Sequence, residues 1–122
     1  MHPNKRENLV TYLAAFFKAL ADPTRLRILN LLLRSRLCVC EMEEVLRLRQ
    51  PLLSRHIAYL RNSGLVGGHR QGLRVLYQLN ERHPLMKQLR PILADALSNE
   101  SVGRTDLRQL QINAVRQENG TL

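Results

Sequence analysis

Apolar residues recur along this chain at intervals of three and four, the spacing of one face of an α-helix. Leu9, Leu13, Phe16, Phe17 and Leu20 predict a first helix over about Leu9 to Leu20. Asp22-Pro23 ends that pattern and starts the next. An Asp carboxylate accepts a free amide of the first turn, and proline suits the first helical position. Leu26, Ile28, Leu29, Leu32 and Leu33 then predict a strongly buried second helix, which Arg34-Ser35-Arg36 interrupts. A short third helix is expected over Val39 to Leu46, with Glu41, Glu43 and Glu44 placed to oppose the helix dipole. Pro51 opens a fourth helix running to about Ser63, with Leu52, Leu53, Ile57 and Leu60 as its stripe and Gly64 as its left-handed stop.

Beyond Gly64 the period shortens. Leu65 to His69 and Val75 to Leu79 read as strands, and Gln71-Gly72 at a turn joins them into a hairpin. Asn80 and Pro84 bracket the start of a fifth helix with the stripe Leu85, Leu89, Ile92, Leu93, Ala96 and Leu97. Pro91 inside it predicts a kink or a split. From Ser98 the chain turns polar. Leu107, Leu110 and Ile112 allow one more helical turn, and the tail after Arg116 is expected to be disordered. The expected division is a folded unit over 1–100 and a polar, partly disordered tail over 101–122. The fold class is mainly α with a small β-hairpin. Two short helices ahead of a basic hairpin are the layout of a winged helix-turn-helix.

Composition sharpens that picture through charge placement. The formal charge is +9, carried by 19 Lys and Arg against 10 Asp and Glu. From Val45 to Asn80 there is no acid, yet Arg47, Arg49, Arg55, Arg61, Arg70 and Arg74 fall there. A folded surface of that kind suits a polyanion. In a helix-turn-helix the second helix enters the major groove and its N-terminal residues meet base edges. Those residues here are Gln50, Ser54, Arg55 and His56, the last being better suited to packing or capping than to reading bases. Gln can pair with adenine and Arg with guanine through two bonds each, worth about 1–3 kcal/mol of discrimination. Arg70, Gln71 and Arg74 at the hairpin tip would flank the duplex, at phosphates or in the minor groove.

No apolar run approaches the roughly 20 residues of a membrane span. Met1 to Asn8 is polar and leads into no signal-peptide pattern, so a cytoplasmic location is expected. Thiols stay reduced there. Cys38 and Cys40, the only cysteines, are therefore not expected to form a structural disulfide, and a ring closed between i and i+2 would be small and strained. Thiolates favour soft, thiophilic ions. The Cys-x-Cys spacing is not the Cys-x-x-Cys of thiol reductases, and no phosphate loop or acid–base pair accompanies it, so no enzyme is expected.

Two longer stretches carry a resemblance. Ala19-Leu20-Ala21-Asp22-Pro23-Thr24-Arg25-Leu26-Arg27-Ile28-Leu29 resembles the opening signature of the ArsR/SmtB family of metal-responsive repressors. Gln50-Pro51-Leu52-Leu53-Ser54-Arg55-His56-Ile57-Ala58-Tyr59-Leu60, followed by Ser63-Gly64-Leu65-Val66, resembles its recognition-helix signature. The resemblance covers roughly Leu13 to Leu79. It implies a homodimeric winged-helix repressor that leaves a double-stranded, imperfectly palindromic operator when it binds its inducer. It also implies a dimer interface at Leu9, Leu13, Phe16, Leu89, Ile92 and Leu93. Arg49 departs from the pattern, since the family usually has a Ser or Thr cap there.

Leu37-Cys38-Val39-Cys40-Glu41 resembles the arsenic-sensing branch, and implies As(III) or Sb(III) on Cys38 and Cys40 as inducer, with no organic cofactor. That branch often has a third cysteine where this chain has Glu43, so the third ligand would be water, a small thiol or nothing. A different family site, built from Asp and His pairs on the last helix, is not expected, because Asp95 has no His after His83. Side chains at i and i+2 lie on opposite sides of a helix. A two-thiolate chelate would then unwind the start of the third helix and so misplace Gln50 and Arg55. A thiol-based redox-sensing repressor of the same fold remains the alternative.

Overall fold

The computed structural model describes residues 9–120; the polar stretch Met1 to Asn8 and the last two residues of the tail lie outside the described residues. The elements run α1 (Leu9–Leu20), α2 (Pro23–Leu32), α3 (Val39–Leu46), α4 (Gln50–Asn62), β1 (Val66–Gln71), β2 (Arg74–Leu79), α5 (Pro84–Ser98) and α6 (Ser101–Gly120). The punctuation works as its chemistry requires. Asp22 is extended at the α2 N-cap and accepts the Arg25 amide at 3.0 Å. Gly64 turns the chain out of α4 at φ +81°, where a Cβ would clash with its own backbone.

α2 is the centre of the molecule and packs against each of the other five helices. Its Ile28, Leu29 and Leu31 are completely buried, and Met42, Leu53, Leu60, Leu65 and Met86 close around them. β1 and β2 pair antiparallel from Val66↔Leu79 to Gln71↔Arg74, leaving Gly72-Leu73 as the two-residue turn with Gly72 at φ +65°. A third extended piece joins this ribbon. Leu37 exchanges both backbone hydrogen bonds with Tyr77, at 3.1 and 2.8 Å, so the residue before Cys38 is tied to the wing strand.

Three expectations need correction. α5 is not split at Pro91 but runs from Pro84 to Ser98. Pro91 and Lys87 are both exposed, so the turn that loses a hydrogen bond at the proline lies on the solvent side of the helix. The tail expected to be disordered after Arg116 is helical through Gly120, and α6 packs on α2, α3 and α5 as part of the same fold. Its anchors are mostly polar or small, which is why the apolar pattern missed it. Arg27 grips Asp106 through two bonds, Nε to Oδ2 at 2.8 Å and Nη2 to Oδ1 at 2.9 Å, and Asp106 is 3% exposed. Asn30 Nδ2 donates to the Gly103 carbonyl at 3.2 Å, and a Cβ on Gly103 would overlap the Leu97 carbonyl of α5.

The third correction concerns Phe16. It is 1% exposed and packs on the His83 ring, so it belongs to the core and offers no surface to a partner.

Candidate nucleic-acid interface and thiol pair

Burial of Leu53, Ile57 and Leu60 fixes the rotation of α4. Gln50 and Arg55 are left exposed and Ser54 half-buried. Gln50 Nε2 donates to Ser54 Oγ at 2.8 Å, which holds the Gln50 amide at the start of the helix with its carbonyl side open. His56 is placed differently. Its ring turns to the α1–α2 corner, with Nδ1 3.3 Å from Arg25 Nη1 and 3.7 Å from Asp22 Oδ2. Arg25 in turn stacks on Tyr59, 4.1 Å from the ring centroid. His56 is thus a packing residue between α2 and α4 and does not face outward with Gln50 and Arg55.

The α4 N-terminus is held in a way the sequence did not reveal. Arg49 stands at the N-cap and supplies no side-chain cap. The Gln50 amide instead donates to Glu43 Oε2 at 3.2 Å, from α3. Glu43 thus ties the cysteine-bearing helix to the exposed start of α4. At the wing, Arg70, Gln71 and Arg74 are all exposed, and Leu73 at the tip is fully so.

Cys38 is the N-cap of α3 with extended backbone (φ −85°, ψ 167°), and Cys40 lies two residues on, within the first turn. Because Cys38 stands outside the helix, the opposite-sides rule does not govern the pair. The two sulfurs meet as a disulfide pair, with Cα atoms 5.4 Å apart. This corrects one expectation: the pair closes despite its i, i+2 spacing, because Cys38 stands extended at the helix end. Cys38 is buried and Cys40 exposed. The Cys38 amide donates to Glu41 Oε1 at 3.0 Å, and Arg74 Nη1 lies 3.9 Å from Cys38 Sγ. Among the described residues, no three His, Cys, Asp or Glu side chains converge as a metal site. Two sulfurs, one reachable from solvent, are what this chain offers a thiophilic ion.

Of the residues carried over for a dimer, Leu9 and Ile92 are more than half exposed, and Leu13 is half-buried. Leu89 and Leu93 pack partly against the core. Val10, Tyr12 and Phe17 add exposed apolar area to α1.

A description of the bacterial regulatory protein family arsR matches residues 22–67. HlyU from Vibrio cholerae has a solved structure similar to this chain at 34% identity and TM-score 0.61, covering 70% of this chain and 96% of that one. The chain belongs to the arsR family. Among curated relatives of this arsR-family chain, the Pseudomonas putida arsenic resistance transcriptional regulator ArsR1 is 46% identical over 69 residues, covering 56% of this chain and 54% of that protein. A Synechocystis transcriptional repressor SmtB homolog is 39% identical over 71 residues, covering 58% and 54%. The chain therefore spans about half the length of these curated relatives. The fold is the winged helix of DNA-binding transcriptional regulators, and the relatives are regulators rather than enzymes. Among the described residues, no helix is long and apolar enough to cross a membrane.

Proposed function

We propose that this chain is a transcriptional repressor that binds double-stranded operator DNA as a homodimer and releases it when Cys38 and Cys40 take up As(III) or Sb(III). The observation that carries the reading is the placement of the sulfur pair at the N-cap of α3, one helix turn from Glu43, the side chain that caps the recognition helix. The name of the Pseudomonas putida relative supports arsenic as the signal. Gln50, Ser54 and Arg55 read bases, while Arg70, Gln71 and Arg74 embrace the backbone. Leu9 and Ile92, with Val10, Tyr12 and Phe17, offer the partner a surface.

Arsenite would supply two bonds to sulfur, each formed as a thiol proton leaves with one arsenite hydroxide as water. Everything else falls to the chain. In the reduced protein, an ion bridging the two thiols would hold the sulfurs farther apart than the pairing in the structure. Cys38 is anchored through Leu37 to β2, and Cys40 rides on α3. Opening the pair therefore strains the wing and the α3–α4 contact together. An inducer shifts the equilibrium only by its preference for that opened state. Adding sodium arsenite to the reduced protein on its operator should weaken binding at least tenfold. Cys38→Ser and Cys40→Ser should hold DNA within about twofold of the parent and ignore arsenite, consistent with typical coupling of 5–150-fold. Release of the double serine variant by arsenite would refute the thiol site.

The pairing of the sulfurs in the structure favours one second reading, a redox repressor. Peroxide would take two electrons from the Cys38 and Cys40 thiols, with their two protons, to form the disulfide and two waters. Matched arsenite and peroxide titrations of the complex separate the two signals.

A further inference from the structure

We infer that Arg74 is the residue through which the thiol pair controls the wing: its guanidinium is shared between the Cys38 sulfur and the DNA backbone, and inducer binding retains it on the sulfur. This rests on the proposed function and deepens it. The expected route from the cysteines ran through α3 into α4. The structure shows a shorter one, in which Arg74 Nη1 lies 3.9 Å from Cys38 Sγ. The antiparallel bridge between Leu37 and Tyr77 sets Cys38 level with Leu76, two positions inward from Arg74. The Arg74 side chain is therefore folded back along β2 toward the body of the protein. Its backbone is the last rung of the hairpin before the Gly72-Leu73 turn, where the wing would meet DNA. Reaching a phosphate beside the tip requires the side chain to swing outward, off the sulfur.

The direction of the effect follows from the acceptor. A neutral thiol is a weak hydrogen-bond acceptor. A sulfur that has exchanged its proton for a bond to the metalloid is a thiolate ligand with no S–H of its own, and it accepts from a guanidinium more firmly than the thiol does. In the free protein Arg74 can leave Cys38 for a phosphate. In the loaded protein it stays, and the wing loses one cation per protomer. By reciprocity, DNA that has claimed Arg74 weakens inducer binding by the same factor. Arg70 stands on the opposite strand, its backbone paired with Val75, and serves as the control.

The test uses the full reduced chain and a duplex that it selects from random-sequence DNA. Operator affinity is measured with and without sodium arsenite, across a salt series, for the parent, Arg74→Gln and Arg70→Gln. Both variants should bind the duplex less tightly. In Arg70→Gln the arsenite effect should match the parent's, and in Arg74→Gln it should shrink roughly five- to tenfold, a sizeable part of the usual coupling range. Arsenite should lower the parent's log–log salt slope by about 0.9 per protomer, one released phosphate contact, and leave that of Arg74→Gln unchanged. Without metalloid or DNA, the Arg74 Nη–H resonances should move on Cys38→Ser, reporting the contact directly. Equal arsenite effects in the two variants, with the parent released normally, overturn the role of Arg74 alone. If arsenite leaves the parent complex intact, the inducer reading falls and this role falls with it.

Discussion

Glu43 and Arg49 form an exchange at the residue scale. Arg49 cannot cap α4, and Glu43 from the neighbouring helix accepts the Gln50 amide instead. Arg49→Ser should therefore raise stability by about 1 kcal/mol, the usual worth of an N-cap, and should restore most of what Glu43→Ala loses; urea midpoints of the two singles and the double decide it. His83 makes a pH-dependent contribution. It is buried at the N-cap of α5, where Nδ1 accepts the Leu85 amide at 3.2 Å and Nε2 meets the Tyr12 hydroxyl at 2.7 Å. Burial lowers its pKa from the ordinary 6.5. The unfolded chain thus takes up the proton first as pH falls, and a protonated Nδ1 could no longer accept from Leu85. Stability from neutral His83 is present above about pH 6.5 and is lost as pH falls from there through the folded value. Urea midpoints should drop between pH 7.5 and 5.5, and His83→Asn, which keeps a capping acceptor, should flatten that dependence. A flat parent profile would refute the assignment.

α6 is the element whose attachment the sequence concealed. Its polar and small anchors are a bidentate ion pair, side-chain amide hydrogen bonds from Asn30 to Gly103 and from Asn113 to Glu44, and a glycine contact, none of which leaves an apolar stripe; Leu107 and Leu110 add only partly buried area. Gly103→Ala should push α6 from α5 and cost about 1–3 kcal/mol, as overpacking does. Asp106→Ala leaves Arg27 without its partner. Breaking a buried pair costs about 3–5 kcal/mol, and the partly exposed Arg27 places this one nearer 2. In both variants protease should cut first within 101–120, because a weakened anchor opens locally before the core does. Protease resistance equal to the parent's would show that α6 is seated by its Leu107 and Leu110 contacts instead. The first five helices and the hairpin, by contrast, were legible from period and punctuation, since several of their boundaries are local events at Asp22-Pro23, Pro51, Gly64, Gly72 and Pro84.

For the whole molecule, the decisive features are charge and exposed apolar area. A formal charge of +9 with an acid-free reach through α4 and the wing gives a field suited to DNA, and operator affinity should fall steeply with salt. Val10, Phe17 and Ile92 remain exposed after folding. A dimer through α1 and α5 would cover them and set two recognition helices about 34 Å apart. Val10→Glu with Ile92→Glu should yield a folded monomer by sedimentation, with operator affinity reduced at least a hundredfold. A variant that stays dimeric would place the interface elsewhere.

The sequence by itself determined the helices, the hairpin and the distribution of arginines, because those depend on residues a few positions apart. Tertiary structure alone decided which side chains became partners. Arg74 reaches Cys38 across 36 positions and Asp106 reaches Arg27 across 79. It also turned His56 and Phe16 inward and brought the two sulfurs to one side, because Cys38 stands extended at the helix end. Such contacts gain their strength only once packing has excluded water and fixed the geometry. No local pattern records them.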